Sequence, residues 1–306
     1  MANTLGKLVK AWAGAGEEHL DDVSKHSGLL EVLSFRGASH GLSDKFRMKV
    51  TLPGNSNRGL NGGVIPTSGT GKLLQQDLAL IDSLEEVDKT EAEGYPGGVN
   101  AYFKSETPGH IESMLQTIAY QMFYGTGNNK TIKGFAQYAI DNGKATTLGG
   151  SAGNDIFCVT LKKNVCEGLY NAQAVNAGNL VTVENVSGPA GVYKVLDTTT
   201  GEELKVLQTS FESRIGLRVG AQHSVATLTN VDATHKPTAA NLLTLIRAAK
   251  AKPSTSFIFA NQKTLDWIGG LKAAMMEMGP MDTNFTQFVG KFEGIPLMLD
   301  ENIPEV

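Results

Sequence analysis

The stretch VTLPGNSNRGLNGGVIPTSGTGKLLQQDLALIDSLEEVDK, residues 50–89, decides the fold of this chain. It is entered through FRMKVTL, residues 46–52, whose polar and apolar residues alternate as in a strand. From Pro53 to Gly71 the composition turns to Gly, Asn, Ser and Pro, and LLQQDLALIDSLEEVDK then resumes an extended pattern. Two strands flanking a long polar loop predict a protruding hairpin from Phe46 to about Lys89. The segment GGVIPTSGTGKLL, residues 62–74, also resembles a phosphate-cradling loop. Such a loop needs Gly-x-x-x-x-Gly-Lys-Ser/Thr, with backbone N–H groups around the phosphates and a final hydroxyl on Mg²⁺. Here Leu73 follows Gly71-Lys72 and cannot ligand a metal, and Pro66, five before Gly71, has no N–H to donate. The spacing therefore favours a flexible glycine-rich connection between strands, and a nucleotide-binding enzyme is kept only as a remote alternative.

With 306 residues the chain is long enough for one large domain or two ordinary ones. A hydrophobic content of 41% with only 19% charged residues describes a globular protein whose lightly charged surface suits burial against other chains. The net charge of −4 leaves no basic footprint for specific nucleic-acid reading, so contact with DNA is expected to be incidental. Cys158 and Cys166 form neither a disulfide framework nor a C-x-x-C zinc site, which points to a reducing compartment. The amino terminus lacks a signal-peptide core, and there is no apolar run of membrane-spanning length. These features predict a soluble chain with no membrane partner.

Residues 1–34 hold the short amphipathic patches LGKLVKAWA and HLDDVSKHSGLLEVLSF around Gly14-Ala15-Gly16. Pieces shorter than about 12–15 residues are marginal helices alone, so this region reads as an arm that needs a surface to lie on. In SETPGHIESMLQTIAYQMFYG, residues 105–125, Thr107 can cap, Pro108 suits a first turn and Gly125 ends a helix. Ile111, Met114, Leu115, Ile118 and Met122 make one apolar stripe, as for a helix lying across a sheet. After loops at 126–154, the segments DIFCVTL, NLVTVEN, GVYKVLD, EELKVLQTSFE, IGLRVG and HSVATLTNV form a strand-rich block, with DTTTGEE as a hairpin turn. The last seventy residues turn to α/β character. A helix opens at Pro237-Thr238 and leaves at Pro253, SFIFAN reads as a buried strand, a helix spans roughly Gln262 to Met278, and GKFEGIPLMLDENIPEV ends the chain.

Chemistry is nearly absent. The six histidines are scattered, none at i, i+4 with another metal ligand, and read as surface or turn residues. SLEEVDKTEAE gathers Glu85, Glu86, Asp88, Glu91 and Glu93, which reads as a solvated or interface-facing acidic face more readily than as an acid–base pair. TTLGGSAG lacks the Gly-x-Ser-x-Gly elbow of a nucleophile. Tyr120 and Tyr124, beside Met122 and Phe123, read as packing between elements. Met275, Met276, Met278 and Met281 fit a subunit contact as well as a core gap. With no catalytic, cofactor or metal site in view, the expectation moves from an enzyme to an interaction protein.

Four segments together resemble the major capsid protein of tailed bacteriophages, the Hong Kong 97-type fold. The first is the 50–89 stretch, with its LNGGVIPT tip and Glu-Val-Asp run. The second is ESMLQTIAYQMFYGTGNNKTIKGFAQYA: a long helix, a Phe-Tyr-Gly end and a Gly-Phe restart. The third is SFESRIGLRVGAQHSVATLTNVDA, and the fourth is FIFANQKTLDWIGGLKA with FEGIPLMLDENIPEV. The resemblance spans roughly residues 28–306. One departure accompanies it: many members continue into further strands after the Gly-Ile-Pro element, whereas here a comparable β block stands near 180–232, as in a permuted connectivity.

The resemblance implies an α+β fold with an N-terminal arm (1–45), an extended hairpin loop and its base (46–104), a peripheral domain with a long spine helix and β-sheet (105–235), and an axial α/β domain (236–306). It implies a virion protein without cofactor or enzymatic activity. Pentamers and hexamers would build an icosahedral shell around double-stranded DNA, assembled in the host bacterial cytoplasm with portal, scaffolding or decoration proteins as partners. The arm would cross onto an adjacent subunit and the hairpin would reach over one. Glycines 59, 62, 63, 69 and 71 would supply bending latitude, and Lys72 would face another subunit's carboxylate. Interface candidates are Gly62, Gly63, Lys72, Glu85, Glu86, Met275 and Met276. An encapsulin-like compartment shell is the alternative of the same fold.

Overall fold

The structure is a computed structural model that describes residues 3–4, 27–95, 98–128, 130–149, 152–173, 181–185, 193–196, 201, 203–271, 276–277 and 288–306. In chain order the first elements are β1 (Asn3–Thr4), α1 (Gly28–Val32), β2 (Ser34–Gly37), β3 (Ser43–Lys49), β4 (Gly71–Asp77), β5 (Ala79–Asp88), α2 (Lys89–Gly94), α3 (Val99–Tyr124) and α4 (Phe135–Asp141). The strand block follows as β6 (Ala145–Thr147), β7 (Asn154–Thr160), β8 (Cys166–Tyr170), β9 (Val181–Asn185), β10 (Tyr193–Leu196), β11 (Glu203–Val219) and β12 (Val225–Val231). The chain ends with α5 (Ala239–Ala248), β13 (Ser256–Ala260), α6 (Gln262–Gly269), β14 (Met276–Glu277), β15 (Phe288–Phe292) and β16 (Ile295–Leu299).

The expected pair of strands at 202–220 is one strand, β11, of 17 residues. Leu207, Thr209, Phe211, Ser213, Ile215, Leu217 and Val219 are all buried, so one face turns inward at every second residue. One edge of β11 carries β5 from Ala79 to Asp88. The other carries β10, β9 and β8 in succession, and β8 leads through a parallel pair to β2. Asn3 and Thr4 add to the outer edge of β2 in the same chain. Of the arm expected at 1–45, residues 27–45 belong to the body, with Leu29, Leu30, Leu33 and Phe35 in the main core; residues 5–26 lie outside those described.

A second sheet runs β14-β15-β16-β13-β7-β12-β6. The strand block expected as one unit at 180–232 is thus divided: β9 to β11 stand in the first sheet, whereas β12 pairs with β7, which pairs with β13. The expected boundary at 235/236 therefore cuts through a sheet. The physical reason lies in DIFCVTL, which is apolar on both faces. Ile156 and Cys158 pack with Leu242, Leu245, Leu265 and Ile268 of α5 and α6, while Phe157 and Val159 join the main core with Phe123 and Phe211. A strand buried on both sides belongs inside a covered sheet.

Helix α3 is longer than the expected 108–124: it starts at Val99 after Gly98, and Pro108 sits inside it. Val99, Tyr102 and Phe103 pack against Val87, Ala92 and Leu207, which gives the first turns a surface. Thr107 is no cap; its hydroxyl donates to the Phe103 carbonyl at 2.6 Å. The expected stripe is buried, from Ile111 at 5% exposure to Ile118 and Met122 at 0%. Gly125 ends the helix as expected, with its N–H on Gln121 O, and Gly134 N–H bonds Gly125 O at 2.7 Å. A Cβ on Gly125 would come 2.0 Å from Ile132 O, so the Phe-Tyr-Gly and Gly-Phe pattern marks two backbones in contact.

Thr238 caps α5 and Asn261 caps α6, which stops at Gly269 instead of continuing toward Met278. The pairing Leu196↔Glu203 supports the hairpin expected around DTTTGEE, whose turn lies mostly outside the described residues. Asp300 ties the two ends of the described chain. Its buried carboxylate accepts from Ser27 Oγ at 2.8 Å, Leu29 N at 3.0 Å, and both Asn302 N and Nδ2 at 3.0 Å. Pro108→Ala restores an N–H inside α3, so the denaturation midpoint of the unassembled chain is expected to rise, by up to about 3 kcal/mol of stability. A fall would mean that α3 requires its proline to pack.

Candidate assembly interface

The hairpin is β3 and β4, paired from Ser43↔Asp77 to Lys49↔Gly71, with the connection 50–70 at its tip. It is shorter than expected, because the returning chain passes at Leu78 into β5 and the first sheet. Its base is pinned by charge. Asp44, 0% exposed, accepts from Arg36 Nη2 at 3.0 Å on each oxygen, from Ser39 N at 3.2 Å and from Arg218 Nη1 at 3.4 Å. Arg36 Nε lies 3.7 Å from Glu167, and the Arg218 guanidinium lies 4.4 Å from the centre of the buried Phe46 ring. Burial, with Arg36 beside it, pulls the Arg218 pKa below its ordinary value, against the pull of Asp44 and Glu167. On β4, Gln76 Oε1 accepts from Tyr138 OH at 2.7 Å. The hairpin therefore leaves the body at a defined angle.

Among exposed polar residues its arm also presents large apolar side chains. Leu60 is 100% exposed, Leu52 79%, Ile65 76%, Leu73 71% and Val64 61%. Burying such a side chain is worth about 1.5–3 kcal/mol, so five of them on one projecting arm form a surface that requires a cover. The tip keeps some order: Thr51 Oγ1 and Thr70 Oγ1 lie 2.7 Å apart, Thr67 Oγ1 donates to Gly54 O at 2.5 Å, and Gly62 N bonds Gly59 O at 3.0 Å. The residue in the left-handed region there is Asn61, at φ 62°; Gly62 and Gly63 are not, so their latitude is not used in this conformation.

The other expected site residues are dispersed. Lys72 is exposed in β4 and sits close enough to Asp141 of its own chain to help hold that carboxyl below its usual range, with Lys133 the main cause. Gly71-Lys72 opens a strand and not a helix, which removes the phosphate-loop reading. Glu85 and Glu86 do not share an acidic face, because neighbours on a strand point to opposite sides. Glu86 is exposed and accepts from Gln208 at 2.7 Å. Glu85 is buried beneath α3, its Oε2 3.8 Å from His110 Nε2. His110 departs from the expected surface histidine: its ring stacks on Phe211 at 4.8 Å, and its Nδ1 lies 2.8 Å from Ser83 Oγ. Met275 lies outside the described residues, and of Met276 only the backbone is described, paired with Phe292.

No chemical constellation emerges. Among the described residues no group of His, Cys, Asp and Glu could hold a metal ion, and no helix is long and apolar enough to cross a membrane. Cys158 and Cys166 are buried free thiols, Cys158 pushed up to about 12 by burial. Tyr120 and Tyr124 stack at 5.3 Å; Tyr124 meets Phe157 edge-on, the packing between elements that was expected, whereas Tyr120 is 48% exposed and stacks within its own helix. Both tyrosines line an open cleft of about 670 Å³ with Gln116, Thr131, Glu301 and Pro304. Alternation misses the apolar tip because its large residues are spaced irregularly among glycines; counting Leu52, Leu60, Val64 and Ile65 inside a loop would have found it.

The chain is thus a body of two sheets, with a long helix laid across one of them and a pinned hairpin whose tip exposes apolar side chains. The structure of bacteriophage epsilon15 contains a chain that is similar, with a TM-score of 0.59 and 18% identity over 89% of this chain and 86% of that one. The bacteriophage JBD30 capsid is similar at a TM-score of 0.57 and 11% identity, over 96% and 98%. No curated protein sequence matches. The model of the major capsid protein GP7 family matches residues 18–303, and the chain belongs to that family. It is a structural capsid protein, a component of a virion shell.

Glu85 carries a pH signature of the α3–sheet contact. Burial raises its pKa above 4.5, against His110 and a Tyr102 hydrogen bond, with Glu106 adding to the rise. A raised carboxyl contributes stability that is fully present below 4.5 and lost as pH rises through the folded value. Glu85→Gln is therefore expected to gain thermal stability relative to wild type as pH climbs from 4.5 to neutrality. A melting difference that is constant across that range would contradict this.

Proposed function

We propose that this capsid protein closes its shell by laying the β3–β4 hairpin of each subunit over a neighbouring subunit. The single observation that carries the reading is the exposed tip, Leu52, Leu60, Val64 and Ile65, held out on a base fixed by Asp44, Arg36 and Arg218. A rigid stalk with an apolar end is a poor surface for a free subunit and an efficient one for a subunit that is always assembled, as in obligate interfaces of about 2,000–5,000 Å². An extended hairpin exposed in solution invites association, and here that association is the task.

In this reading pentamers and hexamers form an icosahedral shell around double-stranded DNA. The second sheet with α5 and α6 forms the axial unit, and the first sheet with α3 forms the peripheral one. The axial unit then starts before residue 236, since it includes β6, β7 and β12. The arm is narrowed from 1–45 to residues 5–26, since Asn3–Thr4 pair with β2 of their own chain and residues 27–45 belong to the body. Contact with DNA is non-specific, in keeping with the net charge of −4. Assembly takes place in the host bacterial cytoplasm with portal and scaffolding or decoration proteins, and the subunit performs no catalysis.

Electron microscopy of the purified chain tests the reading against Leu60→Ser combined with Ile65→Ser. Wild type is expected to form closed particles, alone or with its phage partners. The double variant, losing about 1.5–3 kcal/mol per side chain at every repeated contact, is expected to remain unassembled with an unchanged melting temperature. A wild-type chain that stays monomeric under all these conditions overturns the proposal, as does full assembly of the variant.

A further inference from the structure

Pairing in β3–β4 places Lys45 beside Gln75, Arg47 beside Leu73 and Lys49 beside Gly71. Side chains of directly paired residues stand on the same face of a ladder. One face of the hairpin thus presents three cations at every second residue, about 6.6 Å apart, with the exposed Leu73 among them; the acidic residue on that face, Asp77, stands at its base opposite Ser43 and accepts from Gln75 Nε2 at 2.9 Å. All three cations are exposed, and none enters an ion pair among the described residues. The opposite face, with Asp44, Phe46 and Gln76, is the one held to the body.

The outer face of the first sheet has the inverse pattern. On β5, Asp82 and Glu86 flank Leu84, all exposed, at the same two-residue period. Across the ladder Glu212 stands directly opposite Asp82, and Glu184 shares a row with Leu84 through Ser210. Like charges directly opposite each other destabilise a sheet, and among the described residues Arg214, 3.1 Å from Glu212, is the cation that offsets this pair. Helix α3 covers the other face, where Glu85 is buried. Asp82, Glu86 and Glu184 enter no ion pair among the described residues, so the face carries more negative charge than Arg214 offsets.

We infer that the cationic face of the hairpin docks on the acidic outer face of β5 and β11 in a second copy of this chain. This rests on the hairpin reading above and names its receiving surface. The hairpin's own β5 is ruled out, because β4 runs into β5 with Leu78 alone between them; a second copy of this chain offers the same acidic face free of that constraint. Charge sign, the two-residue spacing and an exposed leucine on each side all match. Steering between such faces speeds encounter and is screened by salt, with a Debye length of about 10 Å at 0.1 M.

The test is a charge swap in the full chain, read as closed-particle yield by electron microscopy and sedimentation at low and high salt, with melting of the unassembled chain as the folding control. Lys45→Glu with Arg47→Glu, and separately Asp82→Lys with Glu86→Lys, are each expected to lower yield by about tenfold or more, because the loss is repeated at every contact of the shell. The four changes combined are expected to restore it. The neutral pairs Lys45→Gln with Arg47→Gln, and Asp82→Asn with Glu86→Gln, give intermediate yields and guard against misfolding of the reversed ones. Unchanged yield in both reversed pairs, or no recovery in the fourfold variant while wild type assembles, overturns the docking. Normal empty shells with reduced DNA filling in the hairpin variant would assign the cations to nucleic acid and overturn it too. Failure of wild type to form particles would instead strike the hairpin reading itself.

Discussion

Seven consecutive odd positions of β11, Leu207 to Val219, are buried, and this strand is the constraint on which the rest of the molecule depends. A one-residue slip would turn every one of them to solvent, so its register is set by the whole row. Because β11 is held, β5 is held along its edge, and β4 leaves β5 in a fixed direction. Arg218 near the end of the same strand reaches Asp44 on β3. The strand that organises the core therefore also aims the hairpin, which links the packing of the body to the geometry of assembly.

The single chain is accordingly two kinds of surface joined by one scaffold. Inside, aromatic side chains from α3, α4, β7 and β13 meet around Phe123, and the core runs without a break from one sheet to the other. Outside, the tip and the acidic sheet face are left in a state that costs free energy in isolation. Repeating a modest contact at every subunit of a closed shell gives a structure whose strength comes from number, and no single contact has to be strong.

Much of this was legible in the sequence. The hairpin, the buried stripe of α3, the Gly125 stop and the openings of α5 at Pro237-Thr238 and α6 at Gln262 followed from alternation, helical spacing and turn chemistry, whereas the cap expected at Thr107 is not made. The true start of α3 at Val99 was not, because Pro108 is an ordinary helix-opening signal and only contact with Val87 and Leu207 overrides it. The division of the strand block was hidden for a different reason: period-two patterns identify strands but carry no record of which strands pair. Of the candidate interface residues, Glu85 illustrates the limit most clearly. It reads as one member of an acidic run, yet strand alternation puts it under His110 while Glu86 faces water. The exposed tip was missed because its apolar residues obey no period.

The most direct measurement is a cryo-EM map of particles assembled from this chain. The account requires Leu52, Leu60, Val64 and Ile65 to lie within about 4 Å of side chains of an adjacent subunit, the distance of apolar contact. A closed shell in which those residues remain in solvent would contradict it, since the pinned and uncovered hairpin would then have no part in holding the shell together.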